Sequence, residues 1–387
     1  MNLPISIMGA GTMGLGIAQL AASHGEDVVL FDINQSILDA SKNKLLNTLD
    51  KLIEKNKISV DDKNNIINKI KWTININDIA NSYMVLEAVV ENLNIKKNLF
   101  YEIENIVSSQ CIIATNTSSL SVSKIASKCK ILDRVLGLHF FNPVPIMQLV
   151  ELIPTEQTKL KLKLEIKNKI EKWNKIVVIA KDTPGFIVNR LARPFYGEAL
   201  KIYEEGIADC STIDWAMKKF GDFRMGPFEL MDLIGIDVNY MATESVYIGL
   251  DYHPRYKPSS IQKKMLDEGK LGRKSGLGFY NYQAEIQRQA PIIDNKLGIS
   301  IFNRILSMLI NGAIEALHLQ IGSKEDIDIA MCKGVNYPKG LLRWADDWGL
   351  KNVLNELTNL YEMYGDDRYI PNKLLKNKVN EKTVFFA

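Results

Sequence analysis

Residues 5–32 leave this chain few folds to choose from. A short apolar run, Ile5–Met8, meets Gly9-Ala10-Gly11-Thr12-Met13-Gly14, and apolar residues then recur at helical spacing through Ile17, Ala18, Leu20 and Ala21. A second apolar run, Val28–Phe31, ends on Asp32. Strand, glycine turn, helix and strand within about 30 residues is the opening unit of a parallel sheet. In the G-x-G-x-x-G pattern, Gly9 permits the tight turn, Gly11 lets backbone approach a pyrophosphate, and Gly14 lets the helix pack closely on the sheet. The helix N-terminus, where Thr12 and Met13 stand, offers N–H groups and a partial positive charge to the phosphates. Asp32 follows Gly14 by 18 residues. A carboxylate there accepts from ribose hydroxyls and repels a 2′-phosphate, and Ile33 and Asn34 bring no cation for one. NAD is therefore expected rather than NADP.

The expected fold class is α/β: a Rossmann-type doubly wound sheet with a helical-pair insertion, followed by two tandem all-α domains. The insertion is residues 34–71, where Ile37, Leu38, Leu45, Leu46, Leu49, Leu52 and Ile53 recur every three or four places among Lys, Asn and Asp. A break near Ser59 reads as an N-cap. Strand signals resume at residues 84–86, 112–114, 135–138 and 176–179. From Phe186 the texture turns helical, and it repeats. Asn189-Arg190-Leu191 returns as Asn303-Arg304-Ile305, 114 residues on, and Ile213-Asp214, Ala216-Met217, Gly226, Asp232 and Gly235 have counterparts at the same offset. Arg255-Tyr256 and Pro258 echo in Arg368-Tyr369 and Pro371. The second copy stops short of anything like residues 271–280 (LGRKSGLGFY) and is expected to lack that tail. The expected domains are 1–184, 185–282 and 296–387.

A net charge of +3, with 46% hydrophobic and 24% charged residues, gives no basic arm for nucleic acid or a membrane surface. Cys111, Cys129, Cys210 and Cys332 have no C-x-x-C spacing or flanking His, so neither a metal nor a disulfide framework is expected. The N-terminus lacks the basic flank and long apolar run of a signal peptide, and no stretch reaches about 18 uninterrupted apolar residues. A cytoplasmic location is expected.

Only His24, His139, His253 and His318 are present. His139 ends an apolar strand before a Pro-punctuated turn, and Glu151 interrupts another apolar stretch twelve residues later. Each would be costly to bury alone. Paired, a carboxylate would hold the imidazole in one tautomer and favour its protonated form. The alternative is a core His satisfied by backbone with Glu151 at the surface, and spacing does not decide between them.

Residues 137–151 (GLHFFNPVPIMQLVE), with Asn116-Thr117-Ser118-Ser119-Leu120 upstream and Gly185-Phe186-Ile187-Val188-Asn189-Arg190 downstream, resemble the L-3-hydroxyacyl-CoA dehydrogenase family. GAGTMG, VLEAVVEN (residues 85–92) and GRKSGLGFY resemble it too, densely over residues 5 to 280 and more loosely beyond. The resemblance implies NAD-dependent oxidation of an (S)-3-hydroxyacyl-CoA. His139 would be general base, Glu151 its orienting partner, and Ser118 and Asn189 ligands of the substrate 3-oxygen. Glu91, Lys96, Ser118, Asn142 and Lys274 would line the NAD site, and Lys55 would contact CoA. It also implies that the tandem helical domains dock as a pseudo-dimer within one chain, leaving self-association of the whole chain open. Each role has a plainer rival: Ser118 could cap a helix, Lys96 and Lys55 could be solvated, and Asn189 recurs as Asn303 for structural reasons. Glu91 is read as ending an apolar strand at the cofactor edge. Two other functions compete: a dehydrogenase of a free 3-hydroxy acid or sugar acid, and a non-catalytic NAD-binding or structural protein.

Overall fold

The computed structural model describes residues 3–283 and 289–386, so Met1, Asn2 and Ala387 of the expected terminal domains lie outside the described residues. The chain divides into two compact units, 1–183 and 184–387, with both helical repeats in the second.

The first unit is built on β1 (Ile5–Met8), β2 (Val28–Phe31), β3 (Ile70–Thr73), β4 (Met84–Glu87), β5 (Ile112–Thr115), β6 (Val135–Phe140), β7 (Leu149–Pro154) and β8 (Ile176–Ile179). They form one sheet in the order β3-β2-β1-β4-β5-β6-β7-β8. All neighbours are parallel except the antiparallel pair β6 and β7. Strands β1, β2, β4 and β5 are buried at every position, as a parallel sheet covered on both faces requires. Helices α1 (Thr12–Ser23), α2 (Gln35–Glu54), α3 (Val60–Asn68), α4 (Leu93–Ile106), α5 (Val122–Ile125) and α6 (Leu160–Glu171) complete the unit.

Helices α2 and α3 are the expected pair. Ser59 caps α3 through a reciprocal box with Asp62, and Leu38, Leu45 and Leu49 bury one stripe of α2 in the core. Each such leucine contributes about 1.5–3 kcal/mol, so a charge at Leu45 would detach the helix. Strand β3 was not expected. It is an edge strand whose Lys71 is exposed, so its four residues carry no apolar run.

In the second unit, α7 (Val188–Leu191), α8 (Arg193–Glu204), α9 (Cys210–Gly221), α10 (Pro227–Ile234), α11 (Ile236–Gly249) and α12 (Ser260–Asp267) form the first copy. The second copy is α13 (Asn295–His318), α14 (Lys324–Gly334), α15 (Leu341–Trp348), α16 (Leu350–Tyr364) and α17 (Lys373–Glu381). Its long α13 takes the place of α7 and α8 together. By length and hydropathy α13 resembles a membrane span, yet 72% of its apolar window is buried, and it packs against α8 and α9 as a core helix.

The repeat is physical as well as textual. Asp214 accepts the N–H groups of Phe228 and Glu229 at 2.9 Å each, latching α9 to the first turn of α10. Asp328 accepts those of Leu342 and Arg343 at 2.8 and 3.0 Å, latching α14 to α15. A methyl on Gly226 or Gly340 would strike the corresponding aspartate, so both latches need glycine. The expectation that the second copy lacks its tail needs correction. Asp232 accepts from Phe279 N and Tyr280 N, and its counterpart Asp346 accepts from Phe385 N and Phe386 N. A left-handed C-cap at Lys382 and the two residues after it suffice to bring an aromatic dipeptide from the end of α17 to the same carboxylate, and only the intervening Gly-rich turn is missing. That turn hid the equivalence.

Burial pushes the Cys111 and Cys129 thiols up to about 12, while Cys210 and Cys332 are half-buried.

Candidate functional site

The strand order reverses between β1 and β4, opening a crevice at the C-terminal edge of the parallel strands. Gly9 turns out of β1 at φ +103°, where a Cβ would lie 2.8 Å from the Ala88 carbonyl oxygen. A Cβ on Gly14 would fall 1.8 Å from the Gly9 oxygen, which seats α1 tightly on the turn. At Gly11, by contrast, no described atom lies within 4 Å of such a Cβ, so the space before the helix is open. Among the described residues no side chain caps α1, and Thr12 is exposed on its first turn. Asp32 stands half-buried at the end of β2, held by Ala10 N at 2.9 Å and Asn34 N at 3.2 Å. An open glycine cradle on helix N–H groups, with a carboxylate one strand away, fits a dinucleotide pyrophosphate and ribose.

Beside the cradle, β4 ends at Glu87 rather than Glu91. Glu91 instead sits in the loop before α4, because Val89 and Val90 continue the apolar sequence after the ladder has stopped. Its Oε1 accepts from Thr117 Oγ1 at 2.6 Å, Ser118 N at 3.0 Å and Ser119 N at 3.3 Å, with Ser118 Oγ at 3.4 Å. Its Oε2 meets Lys96 Nζ at 3.2 Å. Burial pushes the Glu91 carboxyl up, but the Lys96 charge and the Thr117 and Ser118 hydrogen bonds outweigh it and hold it below its ordinary value. Lys96 is only 1% exposed, so it is no solvated lysine; its Nζ also meets Glu87 Oε1 at 2.5 Å.

Two strands further along the same edge, His139 of β6 lies directly across from Glu151 of β7 in the antiparallel register. His139 Nδ1 and Glu151 Oε2 are 2.7 Å apart, with Glu151 fully buried and His139 5% exposed. Glu151 at the surface is thereby excluded. A carboxylate only accepts, so Nδ1 carries the proton and Nε2 is the basic ring nitrogen. The Phe141 ring packs at 4.4 Å from the imidazole. Asn116 ties three strand ends together: its N–H donates to Glu87 O at 2.7 Å and its Oδ1 accepts from Phe140 N at 2.9 Å. A cis Asn142–Pro143 bond follows, with Asn142 exposed.

The structure thus groups Gly9, Gly11, Thr12, Met13, Gly14 and Asp32 at the cradle, Glu91, Lys96 and Ser118 in one network, and His139 with Glu151. Lys55 is exposed at the C-terminus of α2. Asn189 and Lys274 belong to the second unit. The Asn189 carbonyl accepts from Arg193 Nε at 3.0 Å, and Lys274 Nζ donates to Asp237 Oδ2 at 2.6 Å. Sequence reasoning missed Glu87, Thr115 and Thr117. The available signal was a charged residue closing an apolar strand, with Lys96 nine residues on.

The sequence matches the family described as "3-hydroxyacyl-CoA dehydrogenase, NAD binding domain" over residues 4–183, and its "C-terminal domain" over residues 185–282 and again over 301–384. The 3-hydroxyadipyl-CoA dehydrogenase of Escherichia coli is 32% identical over 97% of both chains. The human mitochondrial hydroxyacyl-coenzyme A dehydrogenase is 40% identical over 72% of this chain and 91% of its own. The crystal structure of 3-hydroxybutyryl-CoA dehydrogenase from Escherichia coli superposes with a TM-score of 0.92 at 31% identity, covering 98% of this chain and 99% of that one. With an NAD-binding domain followed by two matches to one helical domain, this chain belongs to the 3-hydroxyacyl-CoA dehydrogenase family.

Proposed function

We propose that the chain catalyses reversible oxidation of an (S)-3-hydroxyacyl-CoA to the 3-oxoacyl-CoA. NAD, when bound, supplies the hydride acceptor for C3. His139 Nε2 takes the proton of the 3-hydroxyl as the C3–H electron pair departs, leaving a carbonyl at C3 and an imidazolium. Glu151 holds Nδ1–H and compensates that charge, so the ring neither rotates nor changes tautomer between turnovers. Ser118 and Asn189 hydrogen-bond the 3-oxygen and fix the attack geometry. Glu91, Lys96, Asn142 and Lys274 serve the NAD site, and Lys55 the CoA moiety. The observation that carries the reading is the buried His139–Glu151 pair at 2.7 Å, on the sheet edge that also bears the glycine cradle.

The thioester class rests on relatives whose names are those of hydroxyacyl-CoA dehydrogenases, one of them alike along its whole length. NADH oxidation with acetoacetyl-CoA against free acetoacetate tests it. A kcat/KM higher by about a hundredfold or more for the thioester is expected, since binding energy from the remote CoA raises turnover. Equal rates would favour the free-acid rival, and no turnover of either the non-catalytic one.

The second helical copy takes the place of a second subunit in this reading. Supporting it is a reciprocal exchange of ion pairs. Arg190 and Arg255 of the first copy converge on Glu315 of the second, at 3.4 and 2.8 Å. Arg304 and Arg368 of the second converge on Glu198 of the first, at 2.7 and 3.9 Å. The arginines are equivalent in the two copies and the glutamates lie within a helical turn of equivalent positions, which approximates the exchange of an isologous interface.

A further inference from the structure

Glu87, the inner end of a chain of charges beside Ser118, has no role in the scheme above. Glu87 is fully buried at the end of β4. Its Oε1 accepts from Lys96 Nζ at 2.5 Å and Val89 N at 2.7 Å, and its Oε2 from Thr115 Oγ1 at 2.7 Å. The Lys96 ammonium has three N–H donors and three acceptors around it: Glu87, the Val89 carbonyl at 3.4 Å and Glu91 at 3.2 Å. With its donors so occupied, Lys96 serves the site by holding Glu91. One carboxylate would have sufficed to neutralise it, yet a second is recruited, and that second one, Glu91, turns its other oxygen onto the N–H groups of Ser118 and Ser119. Glu87 orients Lys96, Lys96 orients Glu91, and Glu91 gathers the loop.

We propose that Glu87 is a positioning residue of the dehydrogenase, acting through Lys96 and Glu91 to fix the Ser118 backbone and hydroxyl for the substrate 3-oxygen; this rests on the reading of Ser118 as a substrate ligand. Glu87 is set three bonds of the network away from Ser118 and is rigid because every contact it makes is to buried or backbone groups. A misplacement of the order of 1 Å at a reacting group is enough to lower turnover up to about a hundredfold. A buried ion pair that merely stabilised the fold would leave kcat untouched in a folded variant, whereas this one is read in kcat through the placement of the Ser118 hydroxyl.

The test is a double-mutant cycle between Glu87→Gln and Ser118→Ala in the full chain, read as kcat for acetoacetyl-CoA reduction, NADH Kd and Tm. Glu87→Gln is expected to lower kcat by about tenfold, with NADH Kd rising by no more than about threefold because Lys96 and Glu91 also serve the NAD site. The double variant is expected to turn over within about twofold of Ser118→Ala alone, because the hydroxyl being positioned is already gone. Losses that multiply would overturn the proposal, as would wild-type turnover of a folded Glu87→Gln. If Ser118→Ala itself turns over like wild type, the Ser118 reading has failed and takes the proposal with it; if Ser118→Ala is impaired and Glu87→Gln is not, the proposal alone has failed. Should Glu87→Gln not fold, Thr115→Val removes one donor to Glu87 at nearly constant volume. It is expected to lower kcat by about threefold, again without further effect in the Ser118→Ala background, and a multiplied loss there would equally overturn the proposal.

Discussion

The two helical copies share a skeleton and differ in what they show to solvent. Both latch their second helix with an aspartate, Asp214 and Asp328, and both close with an aromatic dipeptide on a second aspartate, Asp232 and Asp346. Both turn between helices at a glycine of positive φ, Gly235 at +104° and Gly349 at +90°. Along the outer face of α10 and α11, however, Leu233, Ile234, Val238, Met241 and Ile248 are exposed apolar residues. The positions 114 residues later hold Asp347, Trp348, Asn352, Asn355 and Glu362. The second copy shows that the same helical skeleton forms without that apolar face. Residues present in both copies, Asn189 and Asn303 among them, answer in part to the shared skeleton.

Removing the reciprocal arginines should break the comparison most severely. Arg304→Met leaves the buried Glu198 only the Tyr369 hydroxyl at 2.6 Å and Arg368 at 3.9 Å, also loses contacts to Glu205, Tyr364 and Tyr369, and is expected to cost about 3 kcal/mol in chemical denaturation. Arg190→Met is expected to cost roughly 1–2 kcal/mol, because Arg255 still serves Glu315. Equal losses would mean the two clusters do not divide the work as their contacts imply.

The aspartate latches should rank next. Asp214 also accepts from Tyr280 OH at 2.7 Å, a third partner beyond the two backbone donors of the shared latch, so Asp214→Ala is expected to cost about 2–3 kcal/mol and Asp328→Ala about 1–2. A reversed order in urea melts would undo the equivalence drawn between them. Exchanging the faces is gentler. Val238→Asn with Met241→Asn, the second copy's residues, is expected to shift stability by no more than about 0.5 kcal/mol per site in urea melts, since both side chains are exposed. A loss above about 1 kcal/mol per site would show that the apolar face is part of the skeleton after all.

The smallest effect concerns pH. Burial pushes the Asp214 carboxyl up to about 7, against the hydrogen bonds from Tyr280 and Phe228, and burial raises Asp328 as well. A carboxyl raised in the folded state binds more protons folded than unfolded, so its contribution is present below the unfolded value and fades as pH climbs toward 7. Between pH 5 and 8, the Tm advantage of wild type over Asp214→Asn should therefore shrink. An advantage that grows with pH would show the three hydrogen bonds outweighing burial.

The opening strand–turn–helix unit and the Ser59 cap were legible because both are local: glycine geometry and capping act within a few residues. The His139–Glu151 pairing was not decidable from sequence. It depends on the antiparallel register of β6 and β7, set by a connection over residues 141–148 whose two prolines do not specify a turn length. For Lys96 the sequence leaves a solvated lysine as a rival to the NAD-site reading, because its buried partner Glu87 is supplied by a strand that α4 folds back upon. The closing dipeptide of the second copy escaped notice since hydrogen bonds through backbone N–H leave little trace in side-chain identity.

The account turns on His139 as the base. His139→Gln keeps a donor for Glu151 but no basic nitrogen, and kcat for acetoacetyl-CoA reduction should fall by about 10²–10⁴ while NADH Kd stays within about threefold of wild type. A folded His139→Gln protein that turns over at the wild-type rate would contradict it.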